Sequence, residues 1–526
     1  MQLGFVIDHS RCIGCHACTI ACKSENDVPL GSFRTWVKYT ESGTFPEVKR
    51  SFAVLRCNQC TSAPCVTICP TNALHKRLDG IVDIDPANCI GCKSCMQGCP
   101  YDALYINPDK GTAQKCHFCV HRTEVGLAPA CAVVCPTEAI VPGDWDDPTS
   151  AVNRLKREFE LDARKVEAGT GPNVLYREVA PAGIDPLQTN DGGGHLWADR
   201  YRDARFEAAL WEKGQMEAAA ATNGVDAEEA AVIEARATAR TTYDVPHPPL
   251  WGNKITGYLF LKSIAAGLFL ASLAAQAGGF AEGVGGGWRT IAAPLLALAA
   301  LGGTSLLLVL DLKRPDRFWM ILARPNWSSW LVRGTYALIA FGLLLTVWLG
   351  LAVLGSGPPS GPIYVVFCTA TALAGGLAAC YTGWLFGQAK GRVLWMQRGL
   401  WLRLIVQALV AGAAALLLLG LGGADAGSLR VVLALSLVAQ LGWHFLEDRL
   451  SPPRREAEYA RVIALVREGP YAKRHKFALL VGIVAPLLLL GIGNPVAWGL
   501  AGLLALIGLF VEEDVLVRAG QALAIS

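Results

Sequence analysis

The sequence predicts two unlike halves: a cysteine-rich amino-terminal domain of aqueous composition, then an all-α bundle of eight membrane-spanning helices. Three observations predict this. Of the 18 cysteines, 16 fall between Cys12 and Cys135. Lys, Arg, Asp and Glu crowd residues 1–250, whereas Leu, Ala, Gly and Val dominate residues 255–512. Only 17% of the 526 residues are charged and 52% are hydrophobic, where a soluble chain carries about 25% charged residues. The apolar content excludes disorder for most of the chain. A net charge of +3, with no basic stripe interleaved with aromatics, gives no basis for nucleic-acid binding.

Sixteen cysteines in so short a stretch imply either a disulfide scaffold or metal ligation. Disulfide scaffolds belong to small secreted proteins, and their spacings need not repeat. Here the spacings repeat, and MQLGFVIDHSRC carries neither a secretory apolar region nor a twin-arginine pair. The first group places Cys12, Cys15, Cys18 and Cys22 at gaps of two, two and three residues. The third, Cys89, Cys92, Cys95 and Cys99, has the same gaps and ends in Pro100. This is the bacterial ferredoxin run for a [4Fe–4S] cluster, in which three thiolates cap one cubane and the fourth ligates its neighbour. The second group (Cys57, Cys60, Cys65, Cys69) widens one gap, and the fourth (Cys116, Cys119, Cys131, Cys135) widens it further. Four complete groups supply ligands for four clusters with none left over. Zinc sites, usually spaced two-plus-two, do not produce such triads. CIGCH at Cys12–His16 also matches c-type haem attachment, but it lies inside a longer cysteine triad. His16, His75, His117 and His121 read as loop residues near the sulfurs rather than ligands.

These sixteen positions, within about residues 1–145, resemble the four-cluster electron-transfer subunit of the dimethyl-sulfoxide-reductase superfamily. The resemblance implies an α+β ferredoxin-like iron–sulfur domain made of two dicluster modules, with group one paired to group four and group two to group three. Carried over by position, Cys12, Cys15, Cys18 and Cys135 bind one cluster, and Cys22, Cys116, Cys119 and Cys131 the next. Cys57, Cys60, Cys65 and Cys99 bind a third; Cys69, Cys89, Cys92 and Cys95 bind the fourth.

Residues 146–250 contain no cysteine and no membrane-length apolar run. They read as an extension and linker, helical from about Trp197 to Arg240, with hinges at Gly192–Gly194 and Pro246–Pro249. Beyond them, in residues 251–526, eight apolar segments follow: about 255–276, 290–310, 330–354, 363–385, 400–422, 429–447, 477–492 and 494–511. Most reach the roughly 20 residues a bilayer requires. Connections after the second, fourth and sixth segments carry fifteen Lys and Arg, whereas the opposite connections carry only Arg289 and Arg430. The bias places the basic side, and with it the iron–sulfur domain, on the cytoplasmic side of the inner membrane.

Three stretches of this half, 309–334, 381–395 and 517–526, resemble the polysulfide-reductase membrane subunits called NrfD-like. Members lack haem and exchange electrons with quinone, which implies menaquinone or ubiquinone as substrate. The sequence agrees on haem, since His444 lacks an obvious second axial partner and His475 lies in a basic connection; no haem is expected. Ionisable groups in spans are expensive and usually functional. The quinone-site candidates are therefore Tyr381, Lys262, Asp311, His444 and Glu447, with Asn253 and Tyr258 approaching from the connector. No dinucleotide fingerprint, phosphate loop or catalytic triad is present. The resemblance therefore implies that substrate chemistry sits on a molybdopterin (Mo or W) catalytic subunit, and that this chain is the electron-transfer, quinone-reactive membrane subunit of a respiratory oxidoreductase. The alternative is a quinone-coupled, ion-translocating module of a larger respiratory complex with cytochrome partners.

Overall fold

The computed structural model describes residues 1–43, 46–190, 239–276, 288–354, 361–421 and 425–525. These form two compact units: Met1–Pro249 with Ala389–Arg392 and Ala522–Ser526, and Leu250–Gln388 with Val393–Gln521.

In the first unit, β1 (Leu3–Asp8) is the middle strand of a three-stranded sheet, so LGFVID is buried almost throughout rather than alternating. A long hairpin of β2 (Thr35–Ser42) and β3 (Lys49–Arg56) pairs in continuous register from Thr35↔Arg56 to Ser42↔Lys49. Two short hairpins follow, β4 (Leu74–Lys76) with β5 (Val82–Ile84) and β6 (Leu104–Ile106) with β7 (Ala113–Lys115). The strands β8 (Ile140–Asp144) and β9 (Val174–Arg177) flank β1, antiparallel and parallel respectively. Phe5, Ile7, Val37, Val54, Ile81, Phe118, Ile140, Val174 and Tyr176 form the core. Helices α1 (Ala17–Asn26), α2 (Pro64–Ile68), α3 (Ser94–Gly98), α4 (Val120–Thr123) and α5 (Ala130–Val133) lie among the cysteines; α6 (Ala151–Glu158) and α7 (Pro181–Ile184) come later.

The stretch expected as extension and linker contributes to these sheets. Besides β9, the strands β10 (Thr189–Asn190) and β11 (Ala239–Tyr243) extend the second sheet to the order β10–β11–β2–β3. Buried strand edges on β1 and β2 need hydrogen-bond partners, and the connector supplies them. The helix expected over Trp197–Arg240 and the Gly192–Gly194 hinge lie outside the described residues, except that Ala239 and Arg240 are strand.

The second unit is helical. Its long helices are α8 (Asn253–Gln276), α9 (Trp288–Asp311), α11 (Trp330–Leu354), α12 (Pro362–Gln388), α13 (Leu400–Leu418) and α14 (Ala426–Leu446), with the short α10 (Met320–Ala323) between α9 and α11. Among the described residues, six helices are long and apolar enough to cross a membrane, and they coincide with the first six apolar segments. The seventh segment is the end of α16 (Ala472–Leu479), one π-helical turn and α17 (Ala485–Leu490), reached through α15 (Glu456–Arg467). Asn494 caps α18 (Pro495–Ala519) by accepting from the Val496 amide at 2.9 Å. This helix runs well beyond residue 511, the expected end of the eighth segment. Of these six helices α13 is the most enclosed. It is approached through glycines: a Cβ on Gly267 of α8 would stand 1.9 Å from Ala408 O, and one on Gly502 of α18 2.5 Å from Ala414 O. Close backbone contact of this kind holds helices together where lipid removes the hydrophobic drive.

Candidate functional site

All four cysteine groups begin with the same turn. In each Cys-x-x-Cys the third residue has left-handed backbone: Gly14 (φ 71°), Gln59 (φ 46°), Gly91 (φ 67°) and Phe118 (φ 61°). Glycine adopts this freely, but Gln and Phe carry a strain of about 1–3 kcal/mol. Local contacts hold both in place. Gln59 donates to Cys116 O and accepts from Val82 N, each at 2.9 Å, and the Phe118 ring packs 4.2 Å from that of Phe5. The later cysteines sit on or beside short helices, and α1 packs on α5 while α2 packs on α3. Group one thereby meets group four, and group two meets group three.

The thiols gather accordingly. Cys12 interacts with Cys15 and Cys135, and Cys18 with Cys12 but also with Cys131 of the adjoining group. Cys22 and Cys119 each interact with Cys116 and Cys131. Cys65 and Cys99 both interact with Cys57 and Cys60. Cys92 and Cys95 both interact with Cys69 and Cys89. Sulfurs also receive hydrogen bonds: Arg56 Nη1 to Cys131 at 3.2 Å, Ala113 N to Cys89 at 3.3 Å and Ala139 N to Cys135 at 3.2 Å. Burial pushes the thiols of Cys18 up to about 11 and of Cys60 up to about 12. Buried thiolates therefore need cationic partners, and ligation by metal provides them.

A cavity lined by Cys22, Cys116, Cys119 and Cys131 tests the fit to a cubane. Four thiols around one hollow suit a cluster in which each iron takes one thiolate. Among the described residues no three Cys, His, Asp or Glu side chains converge as a single ion demands.

In the second unit, Tyr258 and Lys262 of α8 meet Tyr381 and Thr382 of α12, all buried. Lys262 Nζ donates to Ala379 O (2.6 Å) and Thr382 Oγ1 (3.0 Å). Tyr258 Oη lies 2.5 Å from both Tyr381 Oη and Thr382 Oγ1. One set of proton positions satisfies every bond: Lys262 donates to Thr382, Thr382 to Tyr258 and Tyr258 to Tyr381. The Tyr381 proton is then the outgoing end of the string. Glu513 of α18 lies within electrostatic reach of Lys262, and its Oε1 accepts from Ser263 at 3.0 Å.

The comparisons with known proteins follow this division. Residues 48–145 match the 4Fe–4S dicluster domain family, and residues 242–524 match the family described as polysulphide reductase, NrfD. The chain belongs to the NrfD family. Its amino-terminal part is 44% identical over 217 residues to a tetrathionate reductase subunit of Salmonella typhimurium, covering 40% of this chain and 80% of that protein. It is 38% identical over 224 residues to the arsenate respiratory reductase iron-sulfur subunit of a Shewanella species, 34% of this chain and 96% of the relative. The thiosulfate reductase electron transfer subunit of Salmonella typhi is 42% identical over 173 residues, 32% of this chain and 88% of the relative. The protein is thus an iron–sulfur electron-transfer protein of the oxidoreductase class with a multi-pass NrfD membrane domain.

Within the NrfD half, the seven residues singled out from sequence do not form one group. Tyr258, Lys262 and Tyr381 converge. His444 and Glu447 belong instead to an ionic group around Arg403, which donates to Glu512 at 2.7 Å and to Glu447 at 3.4 Å. Gln407 and Gln440 also donate to Glu512, and His444 Nε2 lies 3.7 Å from it. Asn253, at the start of α8, accepts from Arg518. Asp311 closes α9, partly buried. His475, read as a loop residue, lies on α16 with its ring 5.2 Å from that of His444. Sequence reasoning missed Glu512, Glu513, Arg403 and Thr382. The available signal was the adjacent carboxylate pair straight after sixteen mostly apolar residues; ending the segment at 511 placed that pair outside.

Proposed function

We propose that this chain carries electrons between a separate molybdenum- or tungsten-pterin catalytic subunit and a membrane quinone, menaquinone or ubiquinone. The observation that carries this is the fourfold repeat of one cysteine turn, joined in a single chain to a buried tyrosine–lysine string. On this reading domain 1–145 binds four [4Fe–4S] clusters as two dicluster modules, with the four thiol sets above as ligands. Residues 146–250 join it to the membrane domain 251–526. The clusters, when bound, supply one-electron carriers. A catalytic partner is suggested by the relatives, which are named as subunits of reductases.

The long α18 and the continuous helical run 472–490 support two further spans beyond the six, giving eight. The even count and the loop-charge bias support a cytoplasmic iron–sulfur domain. Reducing a quinone to quinol takes two electrons, delivered singly, and two protons. Tyr381, as the outgoing donor, would hydrogen-bond a quinone carbonyl, and Lys262 would favour negative charge there. Glu513, beside Ser263, would exchange the protons.

A second reading, ion translocation coupled to quinone, is favoured by one observation. Glu512 and Glu513 are adjacent on α18 yet face different polar groups, so buried ionisable side chains run from Lys262 to Arg403 and Glu447. The test begins with anaerobic purification, where sixteen irons per chain and [4Fe–4S] EPR signals are expected. Reduction of an artificial dye is then compared with reduction of a soluble quinone analogue. Stoichiometric zinc, or dye and quinone turnover that respond alike to Tyr381→Phe, overturns the proposal. Acidification inside proteoliposomes during quinone turnover would establish the second reading.

A further inference from the structure

Burying a cation without a partner costs several kcal/mol, so a buried guanidinium with unused N–H groups marks the place of an anion. Arg56, the last residue of β3, is fully buried. Its Nη1 donates to Cys131 Sγ, but Nε and Nη2 have no hydrogen-bond partner among the described residues. Phe5 covers one face of its guanidinium at 4.6 Å. Arg34 is also buried; it donates to Tyr105 and Gln114, while its Nη1 has no partner among the described residues. Both arginines line the cavity of Cys22, Cys116, Cys119 and Cys131.

The two differ in reach. Arg56 interacts with Cys116 and Cys131 of that set and with Cys18 of the neighbouring set. Arg34 interacts with Cys22. We propose that Arg56 is a counter-cation shared by two adjacent clusters and raises the reduction potential of both, whereas Arg34 acts on one alone. This rests on the ligand sets proposed above.

The physical reason is charge. A cubane held by four thiolates is anionic, and reduction adds one further negative charge. A fixed cation nearby stabilises the reduced form more than the oxidised form. A unit charge at about 10 Å, through protein of effective dielectric about 20, shifts the reduction equilibrium by roughly tenfold or more. That is about 59 mV for one electron. Arg56 is a positioning residue: it holds charge beside the electron carriers and takes no part in any bond change.

The experiment is an EPR-monitored redox titration of the full chain, purified anaerobically, with iron counted in every variant. Arg56→Gln is expected to lower the potentials of two clusters by about tenfold in equilibrium and leave the other two unmoved. Arg56→Lys keeps the charge and should restore most of the shift. Arg34→Gln should lower one of the same two. Unmoved potentials, an equal shift of all four clusters, or a Lys variant no better than Gln at full iron content each overturn the proposal while leaving electron transfer intact. If Arg56→Gln fails to load iron, Arg34→Gln decides: one shifted cluster supports the proposal and none overturns it. Wild-type protein without iron would instead overturn the proposed function itself.

Discussion

Gly334 on α11 tests the tyrosine string without touching any polar group. A Cβ built there would stand 2.0 Å from Cδ2 and 2.1 Å from Cε2 of Tyr381. Carbon atoms in contact prefer about 3.5–4.0 Å, so in Gly334→Ala the ring must yield by roughly 1.5 Å or α11 must move. Overpacking of this kind costs about 1–3 kcal/mol. The Tyr258 and Tyr381 hydroxyls are 2.5 Å apart, and a displacement of that size takes them beyond hydrogen-bond range. Losing the bond costs about 0.5–1.5 kcal/mol, or roughly twofold to tenfold in quinone turnover. Gly376→Ala, on the same helix as Tyr381, is the control. None of the described residues lies within 4 Å of its added methyl, so it should be neutral or stabilising by up to about 1 kcal/mol. Thermal unfolding in detergent, with paired dye and quinone assays, reads both effects. If the two variants behave alike, the packing argument fails. If Gly334→Ala loses stability but keeps quinone turnover, Tyr381 does not face the quinone.

Arg403→Gln leaves Glu512 and Glu447 buried without their cation and should destabilise the membrane half by about 3–5 kcal/mol. Adding Glu512→Gln should recover part of this, which a double-mutant cycle in detergent measures. For sidedness, a cysteine placed within 278–289 should react with an impermeant maleimide from outside the cell, and Arg454→Cys should not; the reverse pattern would place the iron–sulfur domain outside. His247 touches Asp102 and lies 3.5 Å from Asp244. Burial opposes its charge, but the two carboxylates outweigh burial and raise it from 6.5 to about 10. A raised folded value means its stabilisation is complete below about pH 6.5 and lost as pH climbs to about 10. Melting temperature should therefore fall across that window, and less steeply in His247→Gln.

Two kinds of information about this protein are one-dimensional, and the sequence determined both unaided. Cluster chemistry needs thiols at fixed short spacings, so Cys12 to Cys135 read directly as iron–sulfur ligation. A bilayer needs about 20 apolar residues in a row, so the six long helices were visible as apolar runs. What the sequence left open depends on contacts between residues far apart in the chain. Gln59 and Phe118 can occupy a glycine-like turn only because Val82, Cys116 and Phe5 come to meet them. The connector reads as a linker because its strands are short, and only the unpaired edges of β1 and β2 reveal what β9 and β11 are for. The polar residues of the spans resembled one set, since the loop-charge pattern turns all of them toward one membrane face. Packing divides them: α8 against α12 gathers Tyr258, Lys262 and Tyr381, whereas α13, α14 and α18 gather Arg403, His444 and Glu512. Glu512 and Glu513 look like the polar exit of a span, and only the continuation of α18 to Ala519 buries them. Convergence of side chains more than a hundred residues apart is set by helix packing, and no local pattern encodes it.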